Sequence, residues 1–488
     1  MTKPRKSNLT TGVLKALSIF GGVEMIKIIC SIVRSKLIAV WIGSIGVGLF
    51  GIYNTAIDLL NVIFQLGIRD SAVRDIAASK KSSNYRTIII VRRWALFLGL
   101  IGFIATIALS PALSIISFDN TSHSMAFIVI AFIIFLSSIQ NGELAILQGS
   151  QQLGRLAKSS MWGVFIGVAI SIPMFYFLGV DSVLPALVVY SLATTLATLS
   201  QRVDIPKPTP SVTLKETYSK GRGFITLGIY LTISAIVTNL VAFLFMAYLN
   251  KVGDTNTVGI YNAAYVIINK YVGVIFIAIA MEYYPRLSQV INSPQRTSTF
   301  VSHEMSIALW VLLPIIAIFI AASSIIIPLL YSQEFIVAIP FVIWAIIGTI
   351  FRAISWCMAF VILARGDGKT FLFTESASAI TSITLNIIAY KHWGLEGLGI
   401  AYTLWYIIYA VIVACVYYFR YKLHLGNKMY RLISLVIILA LSSTIGYKYV
   451  GWYVPAIIAS ISLPLSIKHL LKGVRYSKRT KQQANSCH

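Results

Sequence analysis

The chain has 488 residues, 57% hydrophobic and only 11% charged, where a soluble domain runs at about 25% charged. With roughly 20 mostly apolar residues per span and a mean hydropathy of +0.82, the chain has apolar sequence for about 14 membrane spans. A soluble multidomain enzyme, a disordered chain and a disulfide scaffold are thereby excluded. So is a β-barrel, because the apolar runs are long and do not alternate. The four cysteines (Cys30, Cys357, Cys415, Cys487) are scattered with no metal-ligand spacing. Forty Lys and Arg against 16 Asp and Glu leave a net charge of +24. No basic, aromatic-interleaved soluble domain carries that charge toward nucleic acid, and cytoplasmic loops of membrane proteins collect such bases.

In chain order the predicted spans are 11–36, 45–67, 94–117, 125–147, 160–179, 182–200 and 224–249, then 257–281, 304–331, 335–362, 370–390, 397–419, 430–447 and 451–471. The start MTKPRKSN is basic but lacks a small-residue cleavage site, so the first segment reads as a retained helix. Bases alternate between the connections: 31 fall on one side and only Lys251, Lys391 and Lys448 on the other. The positive-inside rule then places both termini in the cytoplasm. Residues 69–93 read as an interfacial amphipathic helix with its bases toward lipid headgroups. The stretch 201–223, containing PKPTP, reads as a linker, and 472–488 as a solvated basic tail.

An internal repeat is visible. Gly51-Ile52-Tyr53-Asn54-Thr55-Ala56 returns as Gly259-Ile260-Tyr261-Asn262-Ala263-Ala264 at an offset of 208, which also aligns Asn61 with Asn269. Leu178-Gly179-Val180-Asp181 matches Trp393-Gly394-Leu395-Glu396 at an offset of 215. The expected organisation is an all-α polytopic membrane protein with a six-helix lobe (1–203), a cytoplasmic linker (204–223) and a second six-helix lobe (224–424). A terminal helix pair (425–473) and a basic tail (474–488) follow. Six is even, so the halves are parallel repeats, an arrangement that places substrate between rocking halves.

Polar residues recur on single faces of several spans. Glu24, Lys27, Ser31 and Arg34 share one face of the first span, and Asn54, Asp58, Asn61 and Gln65 one face of the second. Asn262, Tyr265 and Asn269, with Lys270 at the edge, repeat the pattern in the eighth, and Glu375, Ser378, Ser382 and Asn386 in the eleventh. Gln140 and Glu143 lie in the fourth and Arg352 stands alone in the tenth. Ionisable groups in spans face a bundle interior or an aqueous cavity. Plainer roles stand beside this one. Glu24 and Lys27 can neutralise each other, Arg34 and Lys36 can snorkel, and the Asn face can glue helices together. The 25 Tyr and 25 Phe are read as lipid and core contacts.

At residues 34–54 (RSKLIAVWIGSIGVGLFGIYN) and 66–77 (LGIRDSAVRDIA) the sequence resembles the start of bacterial Wzx-type O-antigen and polysaccharide flippases. These belong to the MOP superfamily with MATE exporters and lipid II flippases, and the fourteen-span plan extends the resemblance over the whole chain. It implies translocation of an undecaprenyl-pyrophosphate-linked oligosaccharide from the inner to the outer leaflet of the bacterial inner membrane. The resemblance also places Lys27, Arg34 and Lys270 as cavity cations, by position only. With Arg352 and the amides of Asn54, Asn61, Asn262 and Asn269, these cations form the expected substrate-binding set. Charge-assisted bonds would hold the pyrophosphate. No P-loop, nucleophile elbow or His cluster supports an enzyme or a cofactor, so an ion gradient, the membrane potential or substrate flux must supply the energy. Glu24, Asp58, Glu143 and Glu375 are the candidates for H⁺ or Na⁺ coupling, and Glu375, with no base within a turn, is the best placed. The expected partners are the lipid-linked glycan, membrane lipids and polysaccharide assembly proteins. The alternatives are a MATE-like ion-coupled antiporter of small molecules and a non-transporting component of a polysaccharide assembly complex.

Overall fold

The computed structural model describes residues 7–78, 81–205, 212–219 and 229–486, and no β-strand occurs among them. The PKPTP stretch lies outside the described residues. Hydrocarbon offers no partner for a backbone N–H or C=O, so apolar runs of this length fold as helices, which satisfy both groups internally. In order these are α1 (Ser7–Trp41), α2 (Gly43–Gln65), α3 (Ile68–Ala78), α4 (Lys81–Phe118), α5 (Ser124–Gly149), α6 (Leu153–Leu178) and α7 (Val183–Ser200). A short α8 (214–219) follows, then α9 (Ile229–Val252), α10 (Thr255–Val266), α11 (Val274–Val290), α12 (Pro294–Ala321) and α13 (Ser323–Leu330). The chain closes with α14 (Ile339–Ala364), α15 (Gly368–Cys415), α16 (Asn427–Tyr449) and α17 (Tyr453–Ser486).

Among the described residues nine helical segments are long and apolar enough to cross a membrane, fewer than the fourteen expected. Two of the nine, 153–200 and 368–420, are hairpins. Ser171 bonds the Ala186 carbonyl across the first, and Trp405 reaches Ser378 across the second. Their corners are Gly179 (φ 56, ψ −134) and Gly394 (φ 57, ψ −140), the two positions that the 215-residue offset aligns. That backbone region is essentially reserved for glycine. The sequence repeat is therefore also a repeat of one backbone corner.

Contacts divide the chain into two compact units, Met1–Asn262 with Leu330–Ser332, and Ala263–Leu329 with Gln333–His488. The boundary falls within α10 rather than in 204–223 because α9 packs on α2 and α4. Relatedness in sequence and grouping by contact are separate properties, and here they divide the chain differently.

In the first unit, Ile68, Ala72 and Ile76 of α3 are buried with Ile88, Trp94, Leu98, Leu144 and Leu147. The apolar face of this helix is thus covered by protein, and the stretch 69–93 is divided between α3 and the start of α4 rather than forming one helix. The described part of the linker is also fastened: Trp94 Nε1 donates to the Thr217 carbonyl at 2.8 Å and Arg93 to the Val212 carbonyl at 2.8 Å. On the opposite side, Lys251 pairs with Asp119 at 2.7 Å. In the second unit, Arg420 and Tyr421 both bond Asp367, at 2.9 and 3.0 Å. At the far end Lys448 lies 3.5 Å from Glu396. Each of these ties joins connections that the charge pattern puts on one side. Many large apolar side chains, such as Leu100, Ile104, Phe165 and Ile438, are exposed, as a surface bathed in lipid requires.

Candidate functional site

In the first unit the two copies of the repeated motif meet. Ser44, Gly48 and Gly51 of α2 lie against Thr255, Gly259 and Asn262 of α10. A Cβ on Gly48 would run into the Thr255 carbonyl oxygen, and one on Gly259 into that of Ser44. Small residues spaced by about four let two helix backbones approach this closely. Asn262 lies against Gly51 and donates weakly to the Val47 carbonyl at 3.4 Å.

The remaining first-unit candidates lie on α1, α2 and α5. Asn54 bonds back to the Phe50 carbonyl at 2.6 Å. The Asn61 Oδ1 accepts from Gln65 and from Ser137, both at 2.8 Å, and Gln65 accepts from Asn141 at 2.8 Å. This chain ties α2 to α5. Glu143 is buried and held by Arg92 through two bonds of 2.5 and 3.0 Å, while Arg92 also donates to the Val203 carbonyl. Lys27 pairs with Glu24 at 2.8 Å, both half-exposed. Arg34 sits between two rings, 4.8 Å from the Phe50 centroid and 4.7 Å from that of Tyr190, a cation–π clamp on the guanidinium. Asp58 is exposed in the middle of α2.

In the second unit the helical chain after α10 widens into a π-turn at Ile267–Tyr271, a distortion concentrated at functional sites. It places Asn269 so that its Nδ2 donates to the Tyr265 carbonyl at 3.1 Å, while its Oδ1 accepts from Arg352 at 2.9 Å and from Tyr402 at 3.2 Å. Arg352 is half-buried, 4.9 Å from the Phe276 ring and 5.9 Å from that of Tyr406. Lys270, next to Asn269, is exposed.

The second arm of α15 presents Tyr402, Trp405, Tyr406 and Tyr409 as one run of rings, with centroids 4.5–6.5 Å apart. Trp405 donates to Ser378 at 2.8 Å and Tyr409 to Glu375, so the ladder is clamped to the polar face of the first arm. None of these aromatics was assigned a role from sequence. Their spacing of i, i+3, i+4 and i+7 was the available signal. The structure thus brings Asn269 and Arg352 together with an aromatic wall. It uses Asn61 and Glu143 in fixed internal pairs.

Residues 12–340 match the family described as polysaccharide biosynthesis protein. A protein of Shigella flexneri named "Putative O-antigen transporter" is 22% identical over 379 residues, 75% of this chain and 89% of that one. The lipid II flippase MurJ in its inward closed conformation superposes with a TM-score of 0.64 at 15% identity, over 93% of this chain and 99% of that one. An inward-facing multidrug resistance MATE family transporter of the MOP superfamily gives 0.65 at 15% identity, over 87% and 98%. The fold is therefore the helical fold of the MurJ and MATE proteins.

Proposed function

Because the chain belongs to the polysaccharide biosynthesis protein family, we propose that it carries an undecaprenyl-pyrophosphate-linked oligosaccharide from the inner to the outer leaflet by alternating access between its two halves. Arg352 supports this reading most directly. A half-buried guanidinium inside the membrane, bonded to a neutral amide oxygen and faced by rings, suits an anionic headgroup. The adjoining ladder of Tyr402, Trp405, Tyr406 and Tyr409 suits the apolar faces of sugar rings. An acidic cavity for organic cations has less support, since Glu24, Glu143 and Glu375 already meet Lys27, Arg92 and Tyr409. Proteoliposomes containing the chain are expected to expose an enclosed pyrophosphate-linked oligosaccharide lipid to an external glycosidase. Exposure no faster than in protein-free vesicles overturns the reading.

Coupling is assigned to Glu375, whose carboxylate accepts from Tyr409 and has no base within a helical turn. Glu375→Gln is expected to abolish the response of transport to an imposed H⁺ or Na⁺ gradient while leaving substrate affinity within about twofold, because a neutral amide keeps the Tyr409 bond without a titrating group. Gradient-driven transport at the wild-type rate in this variant removes the assignment.

The protein is placed in the bacterial inner membrane with both termini cytoplasmic. Single cysteines at Asp254 and Trp393, both exposed, are expected to react with an impermeant maleimide in intact cells. One at Ser211, outside the described residues, is expected to stay silent. Ser44 is buried and is an unsuitable reporter in this state. Labelling at Ser211 reverses the orientation.

A further inference from the structure

From Tyr421 to Gly426 the second unit carries a strap in which burial alternates: Tyr421, Leu423 and Leu425 are buried, while Lys422, His424 and Gly426 are exposed. Tyr421 (φ −99, ψ −4) and Lys422 (φ 51) turn the chain out of the preceding helix, and Lys422 and His424 both line one cavity. The strap is pinned along its length. Tyr421 donates to Asp367 at 3.0 Å, the Leu423 amide to the Tyr417 carbonyl at 3.1 Å, and the His424 amide to Ser298 at 3.3 Å. Burial raises the Asp367 carboxyl, but bonds from Thr370, Tyr421 and Arg420 outweigh this and hold it below the usual carboxylate range. The pin is therefore intact at neutral pH. Lys422 itself stands at φ 51, the left-handed conformation that commonly ends a helix, and the Leu423 amide closes that turn on the Tyr417 carbonyl.

The strap walls a cavity of about 980 Å³ whose other walls are α12, the start of α16 and His469 midway along α17. Lys422, Lys428, His303, His424 and His469 line it, and among the described residues no Asp or Glu does. Ser298, Ser302 and Ser306 add hydroxyls. His469 is fixed by Ser306 at 3.1 Å and by stacking on Trp310 at 5.5 Å. Glu304 stands outside the lining, 3.4 Å from His303. The cavity opens where the spans end, on the side that the base-rich connections mark as cytoplasmic. Deeper along the same helices Leu435, Ile438 and Leu465 are exposed, at the depth of acyl chains.

We propose that this cavity binds the phosphate headgroup of an anionic phospholipid of the adjoining leaflet. Phosphate oxygens find ammonium groups and hydroxyls in one basic recess between helices, and the lipid chains find the apolar helix faces beyond it. The site is separate from the Arg352 cluster and does not depend on what the protein transports.

Native mass spectrometry of the full-length protein in neutral detergent, titrated with phosphatidylglycerol or phosphatidylcholine, tests it. Phosphatidylglycerol is expected to bind at least tenfold more tightly. Lys422→Gln and Lys428→Gln should each weaken it about fivefold, and together about 30-fold, with phosphatidylcholine unchanged. Lys448→Gln, at the opposite end of α16, should have no effect. Should the double variant fold poorly, the single variants decide. A preference that survives both single substitutions overturns the site. Displacement of the lipid by millimolar inorganic phosphate overturns the lipid assignment in favour of a soluble anion.

Discussion

Alanine at both Lys270 and Arg352 is expected to abolish measurable transport and to weaken binding of a pyrophosphate-linked lipid by more than a hundredfold. Each charge-assisted hydrogen bond is worth about 1.5–3 kcal/mol, and every 1.4 kcal/mol is about a factor of ten. Arg352 should contribute the larger part, because its guanidinium is half-buried and oriented by Asn269 and two rings, whereas Lys270 is exposed. Arg352→Lys separates charge from shape. It keeps the positive charge but loses the planar fork and the stacking, so an intermediate loss is expected. Binding of a fluorescent substrate analogue, measured beside expression and thermal stability, checks both variants. Full export by the double variant would remove both residues from the substrate site.

Gly259→Leu is expected to prevent the close crossing of α2 and α10. The clash is with a backbone carbonyl, that of Ser44, which cannot rotate away as a side chain could. Overpacking of this kind costs about 1–3 kcal/mol when neighbours can yield, and more when they are backbone. The crossing lies at the helix ends that the charge pattern assigns to the outside. A cysteine at Ser44, buried in wild type, should become reactive to an impermeant maleimide in the variant, and transport should fall to background. Unchanged Ser44 reactivity with normal transport would show that the crossing is not required.

The helical plan was legible in the sequence because lipid imposes a long apolar run on every span, and the paired glycines were legible because backbone geometry imposes them. The residues around Arg352 were legible only in part. A lone arginine in an apolar segment stands out, but its partner Asn269 is 83 residues away and the π-turn that aims it has no local sequence pattern. Likewise, Asn61 and Asn54 have the same hydrogen-bonding groups as Asn269. Only the fold shows that Asn61 is tied to Gln65 and Ser137. The pairing of Glu143 with Arg92, 51 residues apart, is hidden for the same reason. The aromatic ladder was overlooked because 25 Tyr and 25 Phe make any single ring uninformative, and periodicity within one arm had to replace abundance as the criterion.

The matching corners at Gly179 and Gly394 bear on what mutation can do to this chain. Every other amino acid carries a Cβ, so no missense change at either codon leaves the corner unstrained. Elsewhere in a span facing lipid, Leu, Ile, Val and Phe are nearly interchangeable, and drift erases kinship between the halves without consequence. In the motif aligned at the offset of 215, the one residue that both copies share is therefore the one whose backbone accepts only glycine. A saturation-mutagenesis map should show two isolated troughs of intolerance 215 positions apart, each flanked by permissive lipid-facing sequence.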